Sequence, residues 1–127
     1  GAPDVDVTGF NIDRVHSYQA NAEYRRQRTV ESLGMVYKCH YPTLSLKSAR
    51  GARHSPFHER LAAAGACFRE VSGWESPDWY GEPGTAPDPG PLSWGRQGWF
   101  GHWQAEHRAA REQVIVLDMC FRGKFLV

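Results

Sequence analysis

The residues of this chain that could do chemistry are its six histidines, its three cysteines and a scatter of acids. Their spacing decides what is open to them. His54 and His58 stand four apart, with Cys39-His40 and Cys67 as the groups that could approach His58. Zinc sites announce themselves by close ligand pairs such as Cys-x2-Cys, and none occurs here. His54 also falls just outside the start of the helix that carries His58, so the reading is no metal. Cys120, His107 and Asp118 assemble a nucleophile, base and orienter on paper, but nothing in their spacing requires it. Cys120 follows an apolar run, where an inert thiol is the commoner outcome. Paired carboxylates for acid/base work find no support. Glu75 is the one interesting acid. Trp74 could desolvate it and raise its pKa, or it could hydrogen-bond to hold a turn at Ser76-Pro77, the favoured reading. There is no Gly-x-Gly-x-x-Gly fingerprint and no Walker loop. The residues alone name no catalytic group, no cofactor-binding group and no metal ligand.

The elements that would position these residues are short. Residues 1–19 begin irregularly, with Asn11 or Asp13 available to cap a helical turn through Arg14 and Tyr18. Asn21 predicts the N-cap of a helix from Ala22 to about Met35, with Tyr24, Arg28 and Glu31 on one face. An Arg28–Glu31 pair there reads as solvated, worth about 0–1 kcal/mol. The Arg-rich face as an anion site is the sharper alternative. Met35–Tyr41, stopped by Pro42, reads as a strand, and the basic stretch from Thr43 to His54 as a loop.

Ser55 then predicts a cap with Pro56 in the first helical position. Phe57, Leu61 and Ala64 form the expected buried stripe, and Gly65 the left-handed exit. Ala66–Val71 reads as a strand. From Ser76 to Gly98, centred on the Gly/Pro-rich stretch from Gly81 to Pro91, the chain is expected to be irregular. Its aromatics, Trp79, Tyr80, Trp94, Trp99 and Phe100, either self-pack or face another domain. A helix follows from Trp99, with Phe100, Trp103, His107 and Ala110 on one stripe. Val114–Leu117 reads as a buried strand, and Gly123-Lys124 as a turn into Phe125-Leu126-Val127. A first residue of Gly and a last run of apolar residues read as cut ends. The fold class is α+β, an incomplete segment of a multidomain protein.

Composition narrows the partners. Fifteen Lys and Arg against fourteen Asp and Glu give a net charge of +1, which offers no electrostatic reason to bind nucleic acid or an anionic membrane. No apolar run approaches the ~18 residues of a membrane span. An odd number of widely spaced cysteines argues for a reducing compartment, and the expected location is cytoplasmic, or the mitochondrial matrix in a eukaryote.

Several stretches together resemble the sarcosine and dimethylglycine dehydrogenase family of FAD-dependent oxidoreductases. These are Glu31-Ser32-Leu33-Gly34 with Tyr37 and Tyr41-Pro42, then Ala49-Arg50 and Arg53-His54-Ser55-Pro56. Leu61 through Gly65-Ala66 follow, then Gly73-Trp74-Glu75 with Pro77 and Trp79-Tyr80, similar to a Gly-Trp-Glu-x-Pro-x-Trp-Phe signature. Trp99-Phe100, Glu106 and Arg111 come next. Asp118-Met119-Cys120 and Gly123-Lys124-Phe125 resemble the opening of an aminomethyltransferase-like folate-binding domain, with Cys120 where that family usually has Ser. The resemblance implies a parent enzyme that demethylates a secondary or tertiary N-methylamine, with FAD taking the hydride and tetrahydrofolate the one-carbon unit. It implies residues 1–40 as the tail of the flavin-domain region, 41–113 as the central domain and 114–127 as the start of the folate domain. This segment would bridge the flavin and folate domains of the same chain and hold neither cofactor by itself. The runner-up is a stand-alone, non-catalytic interaction or regulatory module with an aromatic docking face.

Overall fold

The computed structural model describes residues 4–11 and 15–126, so the turn expected around Asp13 and Arg14 lies outside the described residues. The elements run in the order α1 (Ala22–Met35), α2 (His58–Ala63), β1 (Ala66–Val71), β2 (Trp74–Tyr80) and α3 (Phe100–Glu112), preceded by two short 3-10 turns. The fold class is α+β: among the described residues, three α-helices around a single antiparallel hairpin.

The hairpin is the centre. Ser72 and Gly73 both have positive φ, 51° and 84°, the backbone a two-residue turn needs to match the twist of its strands. Its register sets Val71 opposite Trp74, Glu70 opposite Glu75 and Arg69 opposite Ser76. Between Cys67 and Phe68 the ladder slips, where Pro77, which has no N–H to give, is accommodated in a two-stranded edge. β2 therefore runs through Tyr80. The chain expected to be irregular from Ser76 becomes so only after that residue, and Ser76-Pro77 is strand, not turn.

α1 starts where Asn21 predicts it: Asn21 Oδ1 accepts the N–H groups of Glu23 and Tyr24, both at 3.0 Å. It does not hand over to a strand at Met35. The Met35 carbonyl takes the Lys38 N–H at 3.0 Å and lies 2.9 Å from His40 Nε2, so the tail of the helix curls back on its own last turn. With no neighbouring strand to pair with, Val36 and Tyr37 stay exposed. α2 also departs from expectation. Ser55 Oγ accepts the Phe57 N–H at 3.2 Å, but helical structure begins at His58 and Phe57 stays about half exposed. Gly65 makes the left-handed exit at φ 87°, and a Cβ there would sit 2.6 Å from the Glu82 carbonyl oxygen.

α3 lies over β2. Trp79 is 4% exposed and stacks on the His102 ring, centroids 5.2 Å apart, with Trp99 at 6.3 Å. Glu106 accepts the Tyr80 N–H at 2.7 Å. Trp79 is thus self-packed, while Trp94 is largely exposed and leans on Tyr41. The C-terminal expectations fail. Val114–Leu117 is neither strand nor buried, and Phe125 and Leu126 are exposed without strand structure. Both runs have the composition of strands but no pairing partner among the described residues.

Candidate functional site

The site grows from the hairpin register. A Ser72-Gly73 turn places Glu70 and Glu75 directly across from each other on one face, and like charges at such positions repel. The pairing of carboxylates that spacing alone did not support is therefore present. Only cations brought from elsewhere in the chain can make it stable, and two arginines, Arg28 and Arg50, do so.

Glu75 is 7% exposed. The Arg50 guanidinium grips it through Nη2 and through Nε at 2.9 Å, and the Gly51 N–H donates to Glu75 Oε1 at 2.6 Å. Burial pushes this carboxyl up, but the hydrogen bonds from Arg50 and Gly51 outweigh it and leave the pKa below its ordinary value. The favoured reading of Glu75 as a hydrogen-bonding acid holds, but the bonds fix Arg50-Gly51 and not Ser76-Pro77, and the alternative of a rise under Trp74 is reversed. Glu70 accepts the Gly73 N–H of the hairpin turn and faces Arg28 Nη2 at 3.5 Å.

Arg28 is 9% exposed, so the solvated face expected of α1 is buried here. It stands between Glu70 and Glu31, the latter at 3.6 Å, and over the Tyr24 ring. Glu31 in turn binds the loop that carries Arg50, accepting from Lys47 N at 2.7 Å, Ser48 N at 2.9 Å and Ser48 Oγ at 2.5 Å. Burial raises the Glu31 pKa, but these donors bring it below its ordinary value. Gln27 Oε1 takes the Ala49 N–H at 2.8 Å. Arg53 completes the set: its guanidinium lies 4.1 Å from the Trp74 ring centroid and 5.7 Å from that of Tyr18, and its carbonyl accepts the Glu75 N–H at 2.9 Å.

The sequence-level candidates scatter by comparison. His54 and His58 do meet, but as a parallel stack with centroids 3.9 Å apart and planes at 8°. That geometry cannot direct both rings' nitrogens in-plane at one ion, and His58 turns its other side to Phe68. Among the described residues no three His, Cys, Asp or Glu side chains cluster as metal ligands. The Cys120 thiol hydrogen-bonds to Asp118, which pushes its pKa up and away from the thiolate a nucleophile needs, while His107 packs edge-on against Trp103.

The residues present do not form a cradle for FAD. The sheet is antiparallel, and the described residues contain no parallel strand–turn–helix unit of the kind that seats a pyrophosphate. The N-terminus of α1 is already capped by Asn21 and carries Glu23, whose pKa is drawn down to about 2 by hydrogen bonds from Arg26 and Gln27. What the arrangement can do is mechanical. Arg28 is paired with Glu70 and Arg50 with Glu75, so neither of these two carboxylates stands free for acid/base work.

Sequence reasoning missed this site because the pairs that close it, Arg28–Glu70 and Arg50–Glu75, span a long chain separation. The Ser-Gly dipeptide between two β-like runs was the available signal, since it alone sets Glu70 against Glu75.

Comparison with known proteins places the lock on a boundary. Residues 1–55 match the FAD dependent oxidoreductase central domain and residues 57–127 match the GCVT N-terminal domain. The chain is 42% identical over its whole length to a 4-methylaminobutanoate oxidase (formaldehyde-forming) of Paenarthrobacter nicotinovorans, covering 15% of that protein. It is 27% identical over 98% of its length to a mouse mitochondrial pyruvate dehydrogenase phosphatase regulatory subunit, covering 14% of it. The chain thus spans about one seventh of the length of these relatives. Arg28, Arg50 and Arg53 fall on one side of residue 56, and Glu70, Trp74 and Glu75 on the other. The chain belongs to the family in which an FAD dependent oxidoreductase central domain is followed by a GCVT N-terminal domain, as in multidomain FAD-dependent amine oxidases and dehydrogenases.

Proposed function

We propose that this chain is the structural bridge of an FAD-dependent oxidoreductase that demethylates an N-methylamine of the sarcosine or dimethylglycine type, with tetrahydrofolate as one-carbon acceptor. The observation that carries the reading is the arginine–carboxylate lock. Every long-range ion pair in it joins a residue matched to the oxidoreductase central domain to one matched to the GCVT domain, apart from Glu31, which braces the loop from its own side. Such a lock holds two domains in fixed relation, which channelled transfer between a flavin site and a folate site requires. Its partners are the flavin and folate domains of the same parent chain, with a cytoplasmic or matrix location. No helix among the described residues is long and apolar enough to cross a membrane. The oxidase relative's activity, which forms formaldehyde, supports demethylation of the same bond type. The division into 1–40, 41–113 and 114–127 belongs to this proposal; it keeps Arg50 and Glu75 together in its central part and leaves Arg28–Glu70 as the pair that crosses its first boundary, while the two family matches meet at residues 55–57.

The chain by itself supplies no site for the hydride acceptor. Incubated with FAD and desalted, it is expected to show no flavin absorbance, and its thermal melt is expected not to move with tetrahydrofolate. Retained flavin would overturn the reading. A second reading, a non-catalytic interaction module, has in its favour the regulatory-subunit relative and the exposed Trp94. A gene that encodes these residues as a whole protein, with a sharp cooperative melt without either ligand, would favour it.

A further inference from the structure

Beside α3, away from the lock, a cavity of about 340 Å³ is walled by Trp94, Trp99, Phe100 and Trp103, with Arg96 and Thr43 in its lining. The walls are held from behind. Gln97 Nε2 donates to the Ser93 carbonyl at 2.7 Å and so closes the turn that carries Trp94 and Arg96. Trp94 leans on Tyr41, ring centroids 5.1 Å apart. Trp99 lies nearly parallel to the buried Trp79, with the planes at 16°, and Trp103 stands edge-on to His107. Trp94 is nevertheless 68% exposed, so the cavity opens to solvent beside it.

Two polar groups of the lining are uncommitted. The Arg96 guanidinium lies 4.5 Å from the Phe100 ring centroid, and no carboxylate among the described residues is in ion-pair range of it. Stacking holds a guanidinium by its face and leaves its N–H edge for a planar oxyanion. Thr43 Oγ1 is covered and has no hydrogen-bond partner among the described residues, which is uncommon for a hydroxyl in a folded chain. These features choose between occupants. A ring of tryptophans suits an alkylammonium, but Arg96 already stands there as the cation, and the described residues lining the cavity include no acid to hold a second. An aliphatic acid would satisfy Arg96 and forgo the rings. A single-stranded nucleic acid would use both, but the net charge of +1 gives it no basic track to follow. We propose that this cavity binds a small planar aromatic carboxylate, its ring against the tryptophans and its carboxylate on the free edge of Arg96. The volume is at the small end for ligand sites. It suits a ring or a fused pair and not a folate, so the proposal stands apart from the bridge reading.

Calorimetric titration of naphthoate into the full product of the gene tests it. Naphthoate is expected to bind at one site per chain, about tenfold tighter than the neutral naphthylmethanol, which lacks the anion for Arg96. Cyclohexanecarboxylate, which keeps the anion and loses the flat ring, should also be weaker. A flavin site elsewhere in the product could take the same acid, so the variants decide. Arg96→Gln should weaken naphthoate about tenfold or more, and Trp94→Ala should weaken it too. Arg122→Gln removes a guanidinium that stands over Phe121, outside this cavity, and should change nothing. All three positions are exposed, and unchanged melting temperatures would show that the fold survives each change. Naphthoate affinity that Arg96→Gln and Trp94→Ala leave intact would put the ligand elsewhere and overturn the proposal. Equal affinity for naphthylmethanol would do so as well, since the cavity would then be a general apolar cleft. No binding at all would mean that another part of the parent chain fills it, and would overturn it too.

Discussion

Two regions of this molecule reverse the usual order of a folded domain. Where the two family matches meet, the buried side chains are charged: Arg28 and Glu75 are each more than nine-tenths covered, and Glu31 and Glu70 nearly so. Along the rim, Val114, Val116, Phe125 and Leu126 are almost wholly exposed, and on α1 so in large part are Val30 and Leu33. The apolar residues that are truly buried among those described are Ala66, Cys67 and Trp79. Hydrophobic burial has no preferred direction, so a piece held mainly by it would have folded its valines in. Ion pairs do have direction and fix geometry, although replacing a buried pair by apolar residues is often no loss in stability. An interior of arginine–carboxylate pairs with aliphatic residues left outside is what the proposed bridge calls for.

The sharpest way to break the contrast is Arg50→Met. It leaves the Glu75 carboxylate buried with the Gly51 N–H as its main remaining donor, a loss of about 3–5 kcal/mol in urea unfolding. The reverse change, Glu75→Gln, should cost less, because Arg50 is about one-third exposed and can be rehydrated. Equal costs for the two would count against burial as the reason.

Next comes the hairpin turn. In Gly73→Ala the new Cβ meets the Tyr18 ring, and the backbone is held at φ 84°. Roughly 1–3 kcal/mol follows from the backbone alone, read as a lower melting temperature. Gly84→Ala, at φ 77° but with open space around it, separates strain from collision and should cost less.

Acid should then open the lock before it touches the rim. Glu75 and Glu31 have folded-state pKa values below their ordinary 4.5, so they bind fewer protons folded than unfolded. Their stabilisation is complete above that value and is lost as pH falls from 4.5 through the lowered folded values. A pH series of melts should show the decline beginning only below about pH 5, and Glu75→Gln should flatten it.

The smallest effect is expected at the rim. Val116→Lys in the 127-residue chain should move stability by no more than about 0.5 kcal/mol, as surface changes usually do. A larger loss would show that the valine already packs on something in this chain.

Local chemistry was legible in the sequence, and long-range partnership was not. Asn21 announced α1, Ala66–Val71 announced β1 and Gly65 its left-handed turn, because capping, alternation and φ preference act within a few residues. Val114–Leu117 was read correctly for composition and wrongly for burial, since a strand's burial depends on a partner that composition cannot supply. Glu75 was singled out as a hydrogen-bonding acid, but its partners were sought among its sequence neighbours Trp74 and Ser76-Pro77. The group that decides its charge is Arg50, twenty-five positions away. Arg28 was assigned to a solvated face because Glu31 is its helical neighbour, whereas it is buried facing Glu70 and the Tyr24 ring.

A double-mutant cycle on Arg50 and Glu75 tests the central claim most directly. The unfolding free energies of the parent chain, Arg50→Met, Glu75→Gln and the double variant together isolate the energy that couples one family half to the other. A lock across the boundary predicts a coupling of about 1.5 kcal/mol or more. A coupling within about 0.3 kcal/mol of zero would contradict it, and would mean that the two halves merely touch at residue 56.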